Sequence, residues 1–417
     1  MDVIVLGLMF LSLTIWLGLL CFRGQFWRTD QQLEVAETQL QSLPVVCAVV
    51  PARNEADLIS TTLRSLLLQD YPGSFNVFLV DDRSTDGTAN FAEGVAHAVG
   101  KPQQLHIITG ESLPPGWSGK LWAVEQGIKS ASKFAPDYFL LTDADIEHDP
   151  SNLRRLVAKA VQEDLDMVSV MVRLRCESFW EKLLIPAFVF FFQKLYPFRW
   201  VNNPNNPTAA AAGGSILIAR EALERIGGIQ VIRQALIDDC ALAQAVKKSG
   251  GVGSREWGVG KQESRRDSHA QCPMPNQGRI WLGLSTLTRS LRPYDSLAMI
   301  WDMVARTAYT QLNYSPLLLL GTLVGMILIY IVAPVSVILG AFWGNWAIAF
   351  TGLLGWLLMS LAYYPTIRFY KCSPWLAFSL PAIAFLYTLM TLDSALRHWQ
   401  GRGGAWKGRV YPNPDNL

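Results

Sequence analysis

The chain has 417 residues, half of them hydrophobic, and 36 Lys+Arg against 34 Asp+Glu leave a formal charge of only +2. It is too long for one small domain and too apolar for an ordinary soluble protein, so a membrane protein with one substantial aqueous domain is expected. The absence of a basic block argues against a nucleic-acid partner, and six scattered cysteines and five histidines without metal-ligand spacing argue against a zinc site or a disulfide framework and for a reducing compartment.

Residues 3–22, "VIVLGLMFLSLTIWLGLLCF", carry no charge over a length that crosses a bilayer, and Arg23 and Arg28 follow at once. A signal peptide would carry its charges before the apolar run, so 1–23 reads as a retained anchor with the following chain on the cytoplasmic side. After a linker, 24–43, strand-like apolar runs alternate with helical patterns from Pro44 onward: "VVCAVVPA", "EADLISTTLRSLLLQDY", "NVFLVDD", "TANFAEGVAHAVG", "LHIITG", "LWAVEQGIKSA" and "YFLLTDAD". Continuous apolar strands separated by helices predict an α/β domain, 44–310, built on a parallel sheet with both faces covered. Ligands of such sheets bind beyond the carboxyl ends of the strands. Three of the strands end there in polar residues: Arg53-Asn54-Glu55, Asp81-Asp82 and Asp143-Ala144-Asp145.

Further along, "FWEKLLIPAFVFFFQKLYPF" (179–198) is apolar but broken by Glu181, Lys182, Pro186 and Lys194, which suits a helix lying at a bilayer surface or one buried in a core. The stretch 249–278 is rich in Gly, Ser and Arg and reads as an inserted flexible loop. A membrane region, 311–396, predicts three spans near 316–340, 346–366 and 374–392, none containing a charge, and a basic tail, 397–417, follows. Four spans would leave that tail outside, whereas Arg397, Arg402, Lys407 and Arg409 favour the inside; either 316–340 is a re-entrant hairpin or one span is misread.

Carboxylates at neighbouring strand ends suit a hard divalent cation in company with phosphate oxygens. Acidic triplets also recur by chance, and "DADIEHDPSNLRR" equally describes a turn capping the helix that begins near 151. Lys120, after two glycines, is placed to reach a phosphate or to lie at the surface. Gly213 and Gly214 mark close backbone approach. Trp117 and Trp122 suit either a sugar face or the core.

Taken together, "VVPARNEADLISTTLRSLLLQDYP", "LVDDRSTDGT", "LLTDADIEHDP" and "ALIDDCALAQAVKKSG" resemble the segments of the family 2 glycosyltransferases with the GT-A fold. "LPPGWSGKLWAVEQG", "FFQKLYPFRWVNNP", "TAAAAGGSILIAREALERIGGI" and "IWDMVARTAYTQL" further resemble the hopene-associated glycosyltransferases of hopanoid-making bacteria. The resemblance implies a GT-A catalytic domain, Rossmann-like with helices on both faces of a mostly parallel sheet, followed by transmembrane helices. It implies that Pro51, Arg53, Glu55, Asp82, Lys120 and Asp143 bind a nucleotide-sugar donor, most readily a UDP-sugar, and that Asp145 holds Mg2+ or Mn2+. It makes Asp239, after Asp238, the general base of an inverting displacement, although both residues also suit the N-terminus of a helix. The Gln-x-x-Arg-Trp segment of processive members is missing: "QGRIW" at 277–281 is one residue short. Trp301 and Arg306, beside the membrane entry, are the expected substitutes, with Gly214 near the acceptor.

The function this implies is transfer of a sugar to a membrane lipid, a hopanoid or another terpenoid such as a carotenoid, by a multi-pass protein of the bacterial plasma membrane with a cytoplasmic catalytic domain. A processive polysaccharide synthase lacks its segment here, a transporter would need charges in its spans, and a catalytically silent scaffold would tolerate loss of the carboxylates.

Overall fold

A computed structural model describes residues 2–33, 43–250, 278–402, 405–406 and 409–410. The expected insertion at 249–278 lies almost wholly outside the described residues, as does most of the tail.

Eight strands form one sheet: β1 (Val46–Ala52), β2 (Phe75–Asp81), β3 (Leu105–Thr109), β4 (Tyr138–Leu141), β5 (Ile146–Glu147), β6 (Met167–Arg173), β7 (Ile216–Ala219) and β8 (Ile280–Ser290). Their order is β3-β2-β1-β4-β7-β6-β8-β5. All seven residues of β1 and all four of β4 are buried, because apolar side chains on both faces of a central strand must be covered by helices. β1 runs parallel to β2 and to β4, with Val46 opposite both Phe75 and Tyr138, so the carboxyl ends of the three strands finish side by side.

The sheet is mixed, in keeping with the mostly parallel expectation. β7 runs antiparallel to both β4 and β6, and β5 antiparallel to β8. The reversal has a consequence for the site. Ile216 pairs with Leu141, so the start of β7, with Gly213 and Gly214 just before it, sits at the same edge as the end of β4.

Among the described residues four helices are long and apolar enough to cross a membrane: Val5–Phe22, Pro316–Phe342, Trp346–Phe369 and Pro374–Trp399. The second is continuous over 27 residues, about 40 Å of helix, so no hairpin turn interrupts it. It contains a π-helical stretch, Ile327–Ile331, just before Pro334. Within this stretch the Ile329 carbonyl accepts from the Trp16 indole N–H at 2.8 Å, which ties the first apolar helix to the second.

The 179–198 stretch forms the helix Phe179–Leu195, opened by a capping box between Ser178 and Glu181. Ile185 and Val189 belong to the sheet core, whereas Leu184, Ala187 and Phe190 pack with Met9, Trp16, Tyr330 and Tyr363 of the apolar helices. Its apolar surface is thus covered by protein on two sides, and it fastens the apolar helices to the sheet domain.

Candidate active site

β4 delivers two carboxylates at its carboxyl end, and each meets a different cation. Asp143 Oδ1 lies 2.9 Å from Lys120 Nζ, and the same ammonium lies 3.0 Å from Asp238 Oδ2. Lys120 opens the helix Gly119–Ala131, whose N-cap Ser118 accepts from the Leu121 N–H. Burial alone would lower the Lys120 pKa, but Asp143 and Asp238 hold it well above the ordinary lysine value, so it is a fixed positive charge.

Asp238 and Asp239 form the first turn of the helix Asp238–Lys248, where carboxylates favourably oppose the helix dipole. Neither is the cap residue; that place falls to Ile237, with no side-chain cap. Asp239 accepts from the Gly213 N–H at 2.9 Å and from the Cys240 N–H at 2.7 Å. Burial, reinforced by Asp238, pushes its carboxyl up to about 6 against the pull of Lys120. A carboxylate near neutrality can take a proton and release it again.

Asp145 is buried and is bound by Arg292, whose Nε lies 2.7 Å from Asp145 Oδ2 while Nη2 lies 2.7 Å from Glu55 Oε1. Arg292 is the principal site residue that the sequence did not reveal. Its loop is tied at both ends: the Leu291 N–H donates to the Asp145 carbonyl at 2.8 Å and the Tyr294 N–H to Glu181 Oε1 at 2.8 Å. Glu181, which in the sequence only interrupts an apolar stretch, is fully buried and also receives Arg175 at 2.7 Å.

A cavity of about 540 Å³ opens among these groups. Its lining includes Pro51, Glu55, Lys120, Asp143, Asp145 and Asp238, together with Met299, Asp302, Met303 and Arg306 and, from the end of the last apolar helix and just beyond it, Arg397 and Arg402. Asp239 lines a small adjoining space with Gly213 and Lys120. Glu55 and Asp145 offer hard oxygens that converge on one cation, the donor chemistry that suits Mg2+ or Mn2+ when substrate phosphates complete the shell. Among the described residues no three or more His, Cys, Asp or Glu side chains close into an all-protein cage.

Other expected residues lie elsewhere. Arg53 donates to the Asp82 carbonyl at 2.8 Å and faces its carboxylate at 3.4 Å, and neither lines the cavity. Gly214 packs on Val172, and its carbonyl accepts from Thr142 Oγ1 at 2.7 Å. The glycine bordering the site is Gly213. The Trp301 indole turns to Asp393 at 2.7 Å, whereas Arg306 reaches the cavity. Trp117 and Trp122 form an edge-to-face pair away from the cavity. Asp149 serves the turn, receiving Ser151 and Arg155. Burial drives His148 down to about 3, which keeps it neutral between Thr142 and Asn152.

This architecture is the GT-A fold. A mannosyltransferase from Pyrobaculum calidifontis, solved with GDP-mannose and Mn2+, matches 95% of this chain and 99% of its own with a TM-score of 0.52 at 16% identity. Residues 47–227, which run from β1 through β7, match the family model described as glycosyl transferase family 2. An undecaprenyl-phosphate mannosyltransferase of Micrococcus luteus is 31% identical over 29% of this chain and 46% of its own length. The beta-monoglucosyldiacylglycerol synthase of Synechocystis is 26% identical over 48% of this chain and 39% of its own. The chain spans less than half the length of these curated relatives.

Proposed function

We propose that the protein is a membrane-bound inverting glycosyltransferase that moves a sugar from a nucleotide diphosphate to a lipid acceptor, a hopanoid or another terpenoid. The observation that carries this is the cavity itself: carboxylates at strand ends share its lining with Met299, Met303 and Ala305 and with Arg306 and Arg402, beside the apolar helices. A soluble sugar acceptor would have no use for the apolar part of that lining, whereas a lipid entering along the apolar helices would meet it. Two lipid-linked relatives and a nucleotide-sugar complex of like fold support the same reading. A cytoplasmic site at the bacterial plasma membrane accords with Arg23 and Arg28 after the first apolar helix, and because Arg397 and Arg402 line the same cavity, the end of the last apolar helix lies on that side too, so not all four apolar helices cross.

In this reading Pro51, Glu55 and Asp143 border the donor, with Arg53 and Asp82 bracing the nucleoside side from behind. Asp145 with Glu55 would hold Mg2+ or Mn2+, which when bound neutralises charge on the leaving diphosphate. Lys120 fixes Asp143 and Asp238 in place. Asp239, aimed by Gly213, accepts the hydroxyl proton of the acceptor as its oxygen attacks the anomeric carbon from the face opposite the leaving group.

A second acceptor class, a polyprenyl phosphate, is favoured by Arg306 and Arg402 on the cavity wall, arginine being suited to bidentate phosphate recognition. One experiment separates the two. Purified protein is given Mn2+, a panel of UDP- and GDP-sugars and a lipid extract, and the product in the organic phase is treated with mild acid. A glycoside of a lipid hydroxyl survives, and a glycosyl phosphate is cleaved. Absence of any lipid product with every donor contradicts both.

A further inference from the structure

We propose that Arg292 is an exchangeable counter-ion of the donor cavity: its guanidinium occupies the place between Glu55 and Asp145 in the cation-free protein and leaves it when a divalent cation enters. This rests on the proposed function only in taking that cation to arrive with a nucleotide diphosphate.

Three observations carry it. Glu55 and Asp145 both lie 2.7 Å from the guanidinium and are nearly buried, with side-chain exposures of 9% and 11%, so two carboxylates share one positive charge there. Any cation that takes these oxygens must displace Arg292, because the guanidinium fills the space between them. The backbone around Arg292 is pinned to the Asp145 carbonyl on one side and to Glu181 on the other, while the side chain remains 31% exposed toward the cavity. The guanidinium can therefore swing about a fixed anchor without loop unfolding.

The exchange alters the electrostatics in a useful direction. With Arg292 in place the trio carries one net negative charge, and Asp143, Asp238 and Asp239 add more beside the single ammonium of Lys120. With its guanidinium committed to Glu55 and Asp145, Arg292 offers no donors to a diphosphate. Replacing the guanidinium by a divalent ion neutralises the two carboxylates and sets a free arginine beside the incoming phosphates, where its planar donors bind oxyanions in pairs. The protein avoids two uncompensated buried carboxylates when empty, a costly arrangement, and gains a second cation when loaded. Arg292 thus acts through the cation site as a positioning residue.

The test uses detergent-purified full-length protein and Mn2+ electron paramagnetic resonance, which reports binding without turnover. Wild type, Arg292→Gln and Arg292→Lys are titrated with Mn2+ alone and with Mn2+ plus UDP or GDP, and melting temperatures are taken alongside. With Mn2+ alone, Arg292→Gln is expected to bind at least about 10-fold more tightly than wild type, since its carboxylates no longer hold a competitor, and Arg292→Lys is expected to fall between. Its melting temperature is expected to drop without Mn2+ and to recover with it. With nucleotide present, Arg292→Gln loses affinity for the diphosphate. Unchanged or weaker Mn2+ binding by a folded Arg292→Gln protein, with wild type still binding Mn2+ and nucleotide together, overturns the exchange and leaves the transferase reading standing. Failure of the folded wild type to bind Mn2+ or nucleotide at all overturns both.

Discussion

The backbone N–H of Gly213 donates to Asp239 Oδ2 at 2.9 Å, so the start of one antiparallel strand aims a carboxylate carried by the first turn of a helix. If that carboxylate is the base, Asp239→Asn should lower transfer by about 10²- to 10⁴-fold with little change in donor affinity. The wild-type rate should also fall as pH drops through about 6, because the proton that burial and Asp238 help to retain then blocks the base. A pH–rate profile whose acid limb is unchanged in Asp239→Asn contradicts the assignment.

The two neighbouring glycines should separate stability from activity. A Cβ on Gly214 would stand 2.9 Å from Val172 Cγ2, so Gly214→Ala forces a shift in the core and should cost about 1–3 kcal/mol, read as a lower melting temperature. A Cβ on Gly213 would stand 3.5 Å from Asp239 Oδ2 and 3.6 Å from Lys120 Nζ, ordinary contact distances. Gly213→Ala should melt near wild type and still lose activity, because the methyl group borders the two side chains that the site must hold in place.

How much of this was legible follows from which interactions are local. β1, β2 and β4 announce themselves as apolar runs ending in Arg53-Asn54-Glu55, Asp81-Asp82 and Asp143-Ala144-Asp145, because a buried strand and its carboxyl end are a matter of consecutive residues. The four apolar helices are legible for the same reason. Arg292 is not: its partners lie 147 and 237 positions away, and nothing in "SLRPYD" says which carboxylates it meets. A strand followed by Arg-Pro, in a chain lacking Gln-x-x-Arg-Trp, is the available signal, whereas the expected substitute Trp301 has its indole engaged with Asp393. The reversed β7 was equally hidden, since strand direction is set by pairing with β4 and β6 and leaves no mark on "ILIA". Glu181 reads only as a break in an apolar helix because Tyr294, whose N–H it receives, lies 113 positions away, although its capping box with Ser178 is local.

Glu181 should therefore control the loop that carries Arg292. Although burial would raise its pKa, the N–H groups of Ser178, Tyr294 and Glu177, together with Arg175, hold it below the ordinary glutamate value. A carboxylate with a depressed folded pKa stabilises the fold above its unfolded pKa, and that contribution is lost as pH falls through the folded value. Glu181→Gln should lower stability by about 2–4 kcal/mol at neutral pH and flatten the fall in melting temperature below about pH 4.5. An unchanged acid limb would show that the charge carries no stability.

The docking of the apolar helices on the sheet domain is open to a chemical test. Cys176 Sγ lies 3.7 Å from Cys372 Sγ, and the two belong to the segment after β6 and the turn before the last apolar helix. The Cys176 thiol, followed by Lys182 and Arg173, lowers Cys372 to about 7 against the effect of burial, so Cys372 supplies the thiolate. Diamide, which takes two electrons and two protons from a dithiol, should convert this pair to an intramolecular disulfide by a small rotamer change. Peptide mapping should find the crosslink in wild type and not in Cys176→Ser; its absence in wild type would mean that the helices dock differently.

The central claim is that these carboxylates serve the transfer of sugar from a nucleotide to a lipid. Its most direct test is passage of labelled sugar from a panel of UDP- and GDP-sugars into an extracted lipid phase, measured for wild type and Asp239→Asn with nucleotide binding followed in parallel, with and without a chelator. The account predicts label in lipid from one donor, lost on chelation, and a variant that binds nucleotide as wild type does but transfers at least about 100-fold more slowly. Equal transfer by the two proteins, or no transfer from any donor by a folded wild type that receives Mn2+ and lipid, would contradict it.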